Sequence, residues 1–206
     1  EEVVEVPMQL SGGAGVAGVA VGAQAKVAGL GGRPAPPARA PPPPGDANYS
    51  EVDCSVPQVG GALPGTLARP KGKGPFPAVL LVHGSGPQDR DETIGGSRPF
   101  LDIARGLAAQ GIAVLRYDKR TLARPQDFQG GTFTVDDETT DDAVAALTAL
   151  AANPHIDGRR VFVLGHSQGG MLAPRIASRW PQARGAILWA APARTLLELL
   201  PEQNRY

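Results

Sequence analysis

The sequence predicts an α/β fold, a mostly parallel sheet with helices on both faces, preceded by a disordered Gly/Pro-rich segment. Three observations carry this. Short apolar runs alternate with segments of helical period, the pattern of parallel strands joined by crossover helices. Two glycine-flanked motifs, His83-Gly84-Ser85-Gly86 and Gly165-His166-Ser167-Gln168-Gly169, each stand directly behind one of those runs. Composition changes abruptly near residue 47.

Before that boundary, eight of the 21 residues from Gly12 to Gly32 are glycine, and Pro34 to Pro44 is nearly all proline and alanine. Such a tract buries too little apolar surface to offset its ordering entropy. It therefore predicts a flexible linker over 1–47, or the remnant of an upstream region, that runs into a stiffer polyproline-like spacer. Gly13-Ala14-Gly15-Val16-Ala17-Gly18 matches the dinucleotide fingerprint, but Pro7 interrupts the strand that should precede it. The acidic residue required about 20 positions on is also missing. Leu10 to Leu30 is too glycine-rich for a membrane helix, carries Lys26 and follows acidic residues, which argues against a span or a signal segment.

The domain over 48–206 opens with strands at Val52–Val56 and Leu63–Ala68, followed by a buried parallel strand at Ala78–His83. A helix starts at Pro99, a good first-turn residue, and sets Phe100, Ile103, Ala104, Leu107 and Ala108 on one stripe before Gly111 closes it. A strand at Ala113–Tyr117 comes next. The following helix starts in Asp136-Asp137-Glu138, whose charge suits the positive end of the helix dipole, and stops at Asn153-Pro154. Its core stripe is Ala143, Val144, Leu147, Leu150 and Ala151, and the acidic run reads as capping and solvated surface rather than a metal site. After the strand Val161–Gly165, the helix behind Ser167 contains Pro174, which removes a donor and predicts an irregular early portion. A last strand is expected at Ala186–Ala190.

With 206 residues and 42% hydrophobic content the chain can build one sizeable core. Its formal net charge of zero gives no pull toward nucleic acid or an anionic membrane, and 5% aromatics argue against a base-stacking platform. Cys54 is the single cysteine, which rules out an intrachain disulfide or a multi-thiolate zinc site and predicts a small buried strand residue. No metal and no cofactor are expected. Compartment and oligomeric state are left open.

The two motifs carry the chemistry. A strand, then a tight turn bearing Ser167, then a helix is the setting that exposes a nucleophilic serine, and only small residues two before and two after it let strand and helix pass. Gly165 and Gly169 fill those places. His83-Gly84-Ser85-Gly86 reads as a loop for a developing oxyanion, with glycines that let backbone approach substrate. Its donors are expected to be the amides of Gln168 and of Ser85, with Gly86 as the alternative.

From about Tyr49 onward the chain resembles the α/β-hydrolase superfamily, in a bacterial carboxylesterase branch that is serine aminopeptidase-like or dienelactone-hydrolase-like. The resemblance rests on Pro64-Gly65-Thr66-Leu67, on His83 through Glu92, on Leu115-Arg116-Tyr117-Asp118-Lys119-Arg120, and on Gly165 through Gly170. It implies a serine hydrolase that cleaves small-molecule carboxylic esters through an acyl-enzyme on Ser167, with His83, Gly84, Gly86, Gly165, His166 and Gly169 in support. A serine nucleophile sets the chain apart from the aspartate-dependent dehalogenase and epoxide-hydrolase relatives and from the cysteine of true dienelactone hydrolases. A serine peptidase and a non-catalytic binding module of the same fold are the alternatives.

The triad order in this fold is serine, acid, histidine, and no histidine follows Ser167. The expectation is therefore a partial hydrolase fold, truncated at its C-terminus, with the triad acid and histidine beyond Tyr206 and no turnover by this chain alone. Arg194 to Tyr206, with Leu196, Leu197, Leu199 and Leu200, would begin a cap helix over the acyl pocket. Asp89, Arg90, Asp91 and Glu92 are expected to pair with Asp118, Lys119 and Arg120 at the pocket mouth.

Overall fold

In a computed structural model of the chain, the described residues are 2–10, 13–21, 27–34, 41, 47–194 and 198–199. The chain divides into two compact units, Glu1–Pro41 and Pro42–Tyr206.

Composition predicts a flexible tract over 1–47, and within it the described backbone pairs as a three-stranded antiparallel sheet. Its strands are β1 (Glu2–Leu10), β2 (Gly13–Val21) and β3 (Val27–Pro34), in spatial order. Pro7 lies on the edge strand β1, where a missing donor need not break a ladder. The Gly13–Gly18 stretch lies along β2 and not in a strand-to-helix turn, so the geometry needed for a dinucleotide site is absent there. Most of the proline-rich spacer lies outside the described residues. No helix among the described residues is long and apolar enough to cross a membrane.

The second unit is built on a six-stranded sheet of β4 (Tyr49–Val56), β5 (Leu63–Pro70), β6 (Phe76–Val82), β7 (Ala113–Tyr117), β8 (Ile156–His166) and β9 (Gly185–Trp189). The spatial order is β4-β5-β7-β6-β8-β9. The first three strands pair antiparallel, and β7, β6, β8 and β9 run parallel. Period-two alternation splits the apolar residues between two faces. Ala78, Leu80 and Val82 of β6, with Val161 and Val163 of β8, pack beneath α3 (Asp141–Ala151) and α4 (Gln168–Arg179) through Ala143, Leu147, Leu150, Ala173 and Ile176. Val79, Leu81, Val114 and Leu164 pack on the opposite face against Phe100, Ala104 and Ala108 of α1 (Pro99–Ala109). Leu80, Leu81 and Val82 are fully buried, and each such side chain contributes about 1.5–3 kcal/mol of transfer free energy.

Helix α1 starts at Pro99 and closes at Gly111, whose φ of +88° gives the left-handed turn that ends the helix. The short helix α2 (Arg120–Ala123) follows β7, and a π-helical turn, Asp136–Thr140, leads into α3. The acidic run there is not wholly solvated, because Glu138 is buried whereas Asp136 pairs with Arg175 and Arg179 at the surface. Helix α4 runs unbroken through Pro174, against the expected irregularity; the helix is anchored on the sheet by buried Ala173 and Ile176 on either side of the proline. Cys54 lies half-buried on β4 against the core. Of the expected cap start, only Arg194, Glu198 and Leu199 are among the described residues.

Candidate active site

Strands β6 and β8 are parallel neighbours with Val82 opposite Gly165, so the loops that follow them leave from the same edge of the sheet. Ser167 stands between the end of β8 and the first residue of α4 with φ 51° and ψ −114°. Positive φ in a non-glycine residue costs on the order of 1–3 kcal/mol and persists only where its surroundings enforce it. Here the Ser167 amide donates to Trp189 O at 3.0 Å, and its carbonyl accepts from the Met171 amide at 3.0 Å. A Cβ on Gly165 would stand 2.6 Å from Gly170 N and nearer still to Gly169 O. One on Gly169 would stand 2.5 Å from His83 O and nearer to Val82 O. Close backbone approach, between strand and helix at one glycine and between helix and the neighbouring loop at the other, explains the spacing around Ser167.

The loop after β6 is fixed by charges. His83 is fully buried, with its ring 5.1 Å from that of Phe100 and 5.3 Å from that of Tyr117. Burial, aided by the Lys119 charge, lowers its pKa to about 4, so the ring is neutral near pH 7. The Gly84 amide donates to Glu92 Oε1 at 2.7 Å, and a Cβ on Gly84 would lie 3.4 Å from Ser167 Cβ. The next three carbonyls are all tied: Gly84 O by Lys119 Nζ at 2.9 Å, Ser85 O by Gln88 Nε2 at 3.2 Å, and Gly86 O by Thr121 Oγ1 at 3.3 Å. Among the described residues the amides of Ser85 and Gly86 have no acceptor. Gln168 opens α4, where its amide has no carbonyl one turn back to bond.

The structure thus brings Gly84, Gly165, Ser167, Gln168 and Gly169 together at one sheet edge. His166 turns to the buried Glu92, with Nδ1 2.9 Å from Oε1, and its ring lies 4.7 Å from the Trp189 ring. Among the described residues no histidine nitrogen hydrogen-bonds the Ser167 hydroxyl. His155 lies just before β8, at the opposite edge, where its carbonyl accepts from Phe76. No cluster of His, Cys, Asp and Glu among the described residues is arranged to hold a metal ion. An open cavity of about 370 Å³ is lined by Met171, Leu188, Ala191, Pro192, Ala193 and Arg194, one helical turn beyond Ser167.

The charged residues near the mouth pair differently from the expectation. Only Arg90 and Asp118 join the two expected groups, bidentately, with Nη2 to Oδ2 at 2.8 Å and Nε to Oδ1 at 3.0 Å. Asp89 accepts from the Thr93 amide and hydroxyl, Asp91 pairs with Arg116, Glu92 with His166, Lys119 with Glu138 and Arg120 with Asp142. The physical reason is burial: Arg116 and Lys119 are almost wholly enclosed, and a carboxylate in reach offsets the hydration that each buried charge has lost. Sequence reasoning missed Glu138 as a partner and Lys119 as a buried one. The available signal was a lysine directly behind a central strand, at the edge where both motifs end.

Arg90 also donates to Gly65 O and Thr66 Oγ1, each at 2.9 Å, so it pins the segment after β6 to β5. Asp118→Asn is therefore expected to destabilise the fold by about 2 kcal/mol, the scale of hydrogen bonds to charged groups, as read by denaturant titration. Unchanged stability would show that Arg90 and Asp118 do not hold the loop.

Residues 79–205 match the alpha/beta hydrolase family. Esterase EstD of Thermotoga maritima is 48% identical over 159 residues, which is 77% of this chain and 36% of that protein. The chain spans 36% and 37% of the lengths of the two curated relatives it matches. Among solved structures, a dienelactone hydrolase from Anabaena variabilis superposes with TM-score 0.54 at 26% identity, over 68% of this chain and 62% of that one. Acetyl xylan esterase 1 from Thermoanaerobacterium sp. superposes with TM-score 0.58 at 20% identity, over 78% and 54% of the two chains, a likeness of fold. The six-stranded sheet, the strained serine behind β8 and the match over residues 79–205 agree: the chain belongs to the alpha/beta hydrolase family.

Proposed function

We propose that the protein is a serine hydrolase of small-molecule carboxylic esters. The observation that carries this reading is the Ser167 backbone, held at positive φ between two glycines that admit no Cβ and lying against the loop after β6. In this mechanism Ser167 Oγ attacks the acyl carbonyl and gives its proton to a histidine base. The amides of Gln168 and Ser85 receive the charge that develops on the carbonyl oxygen, each such donor being worth about 3–4 kcal/mol in the transition state. The alcohol leaves with the proton, and a water activated by the same histidine releases the acid from the acyl-enzyme. No histidine follows Ser167 in the sequence, so in this reading the base and its acid come from outside these 206 residues.

Apart from Arg194, the lining of the cavity beside α4 is apolar, which supports an apolar acyl group, and EstD is named an esterase. The test is hydrolysis by the full-length protein of p-nitrophenyl esters from acetate to octanoate, set against aminoacyl p-nitroanilides. Faster turnover of the esters is expected. Cleavage of the anilides alone would point to a peptidase, and no turnover of either class would point to a binding module.

A further inference from the structure

The peptide unit that joins Gly84 to Ser85 is held from its carbonyl end by a buried cation. The Lys119 side chain is 1% exposed, and Nζ meets three acceptors: Gly84 O at 2.9 Å, Glu138 Oε1 at 2.6 Å and Gln168 Oε1 at 3.2 Å. Three acceptors call for three N–H bonds, which only the protonated amine supplies. Burial pushes the Lys119 pKa down, and the hydrogen bond it donates to Glu138 works against that.

The Gly84 carbonyl and the Ser85 N–H belong to one planar trans unit and point in opposite directions, so fixing the first aims the second. A charge-assisted bond to the carbonyl also draws electron density from the amide nitrogen and makes its N–H a stronger donor. The preceding peptide is held by the opposite charge, because the Gly84 amide donates to Glu92 Oε1 at 2.7 Å. The two peptide planes that meet at Gly84 are thereby locked by a buried anion and a buried cation. The same ammonium grips the side chain of Gln168, whose amide is the other proposed donor, and Gln168 Nε2 reaches Glu138 Oε2 at 3.4 Å.

We propose that Lys119 is the positioning residue of the oxyanion site: through the Gly84 carbonyl it aims and polarises the Ser85 amide, and through the Gln168 side chain it sets the first turn of α4. This deepens the ester-hydrolase reading and rests on it. No bond is made or broken at Lys119. Its contribution falls on the transition state, where charge appears on the substrate oxygen, and not on binding of the neutral ester.

The test compares the full-length wild-type protein with Lys119→Met and with the double variant Lys119→Met/Glu138→Gln. Lys119→Met alone leaves the Glu138 carboxylate buried without its partner and can fail to fold for that reason, whereas the double variant removes both charges together. In the double variant kcat for p-nitrophenyl butyrate is expected to fall about 10- to 100-fold, part of the ~10²- to 10³-fold loss on removing a donor outright. KM should stay within about twofold, and affinity for an alkyl boronic acid, which mimics the tetrahedral intermediate on serine, should fall in step with kcat/KM. Unchanged kcat in the folded double variant, or a loss that appears in KM with boronate affinity intact, would overturn the proposal for Lys119. Absence of Ser167-dependent turnover in the wild-type protein would instead overturn the ester-hydrolase reading itself.

Discussion

Ser167→Ala in the full-length protein is expected to lower kcat on p-nitrophenyl esters by on the order of 10⁵- to 10⁶-fold, the scale seen when a hydrolase nucleophile is removed. The fold should be retained. Alanine at φ 51° carries the same Cβ and much the same backbone strain as serine, and the bonds to Trp189 O and from the Met171 amide are made by the main chain. The loss is thus chemical. Circular dichroism and thermal melting should superpose on those of the wild type, and residual rates within about a hundredfold of wild type would remove Ser167 from the mechanism, since triad members act as a unit.

Gly169→Ala should do the reverse and act through the fold. Its new methyl would overlap the carbonyls of Val82 and His83, and both belong to the backbone at the end of the central strand β6, which has no room to shift. The expected loss of stability exceeds about 4 kcal/mol, a range reached by few single substitutions and here caused by overpacking against main chain. Expression as insoluble protein, or a Tm lower by more than about 10 °C, is the expected readout. A stable Gly169→Ala protein with wild-type melting would mean that helix α4 does not approach β6 as closely as described.

Much of this architecture was legible because buried parallel strands and amphipathic helices leave simple marks. The apolar run marks Ala113–Tyr117 to the residue, since β7 lies mid-sheet with all five residues buried. Strands β6 and β8 start before their apolar runs do, because Phe76 and the Ile156–Arg160 stretch lie outside those runs. The serine and the loop after β6 were visible because glycine is required where backbones nearly touch. What was not legible is the buried charge. Beyond its place behind β7, nothing in the pattern tells Lys119, enclosed against Gly84, Glu138 and Gln168, from Lys71 or Lys73 at the surface, because its partners come from three separate elements. Glu138 is hidden in the sequence for the same reason: three acids in a row suit a helix start, and which of them turns inward is decided by the cation on the far side.

If Ser167 is an activated nucleophile, treating the full-length protein with an alkyl fluorophosphonate and locating the adduct by peptide mass spectrometry will reveal it. A single phosphonylated serine at Ser167, absent from the Ser167→Ala protein and formed far faster than on denatured protein, is the predicted result. An adduct on another serine, or no adduct on a folded and ester-cleaving protein, would contradict it.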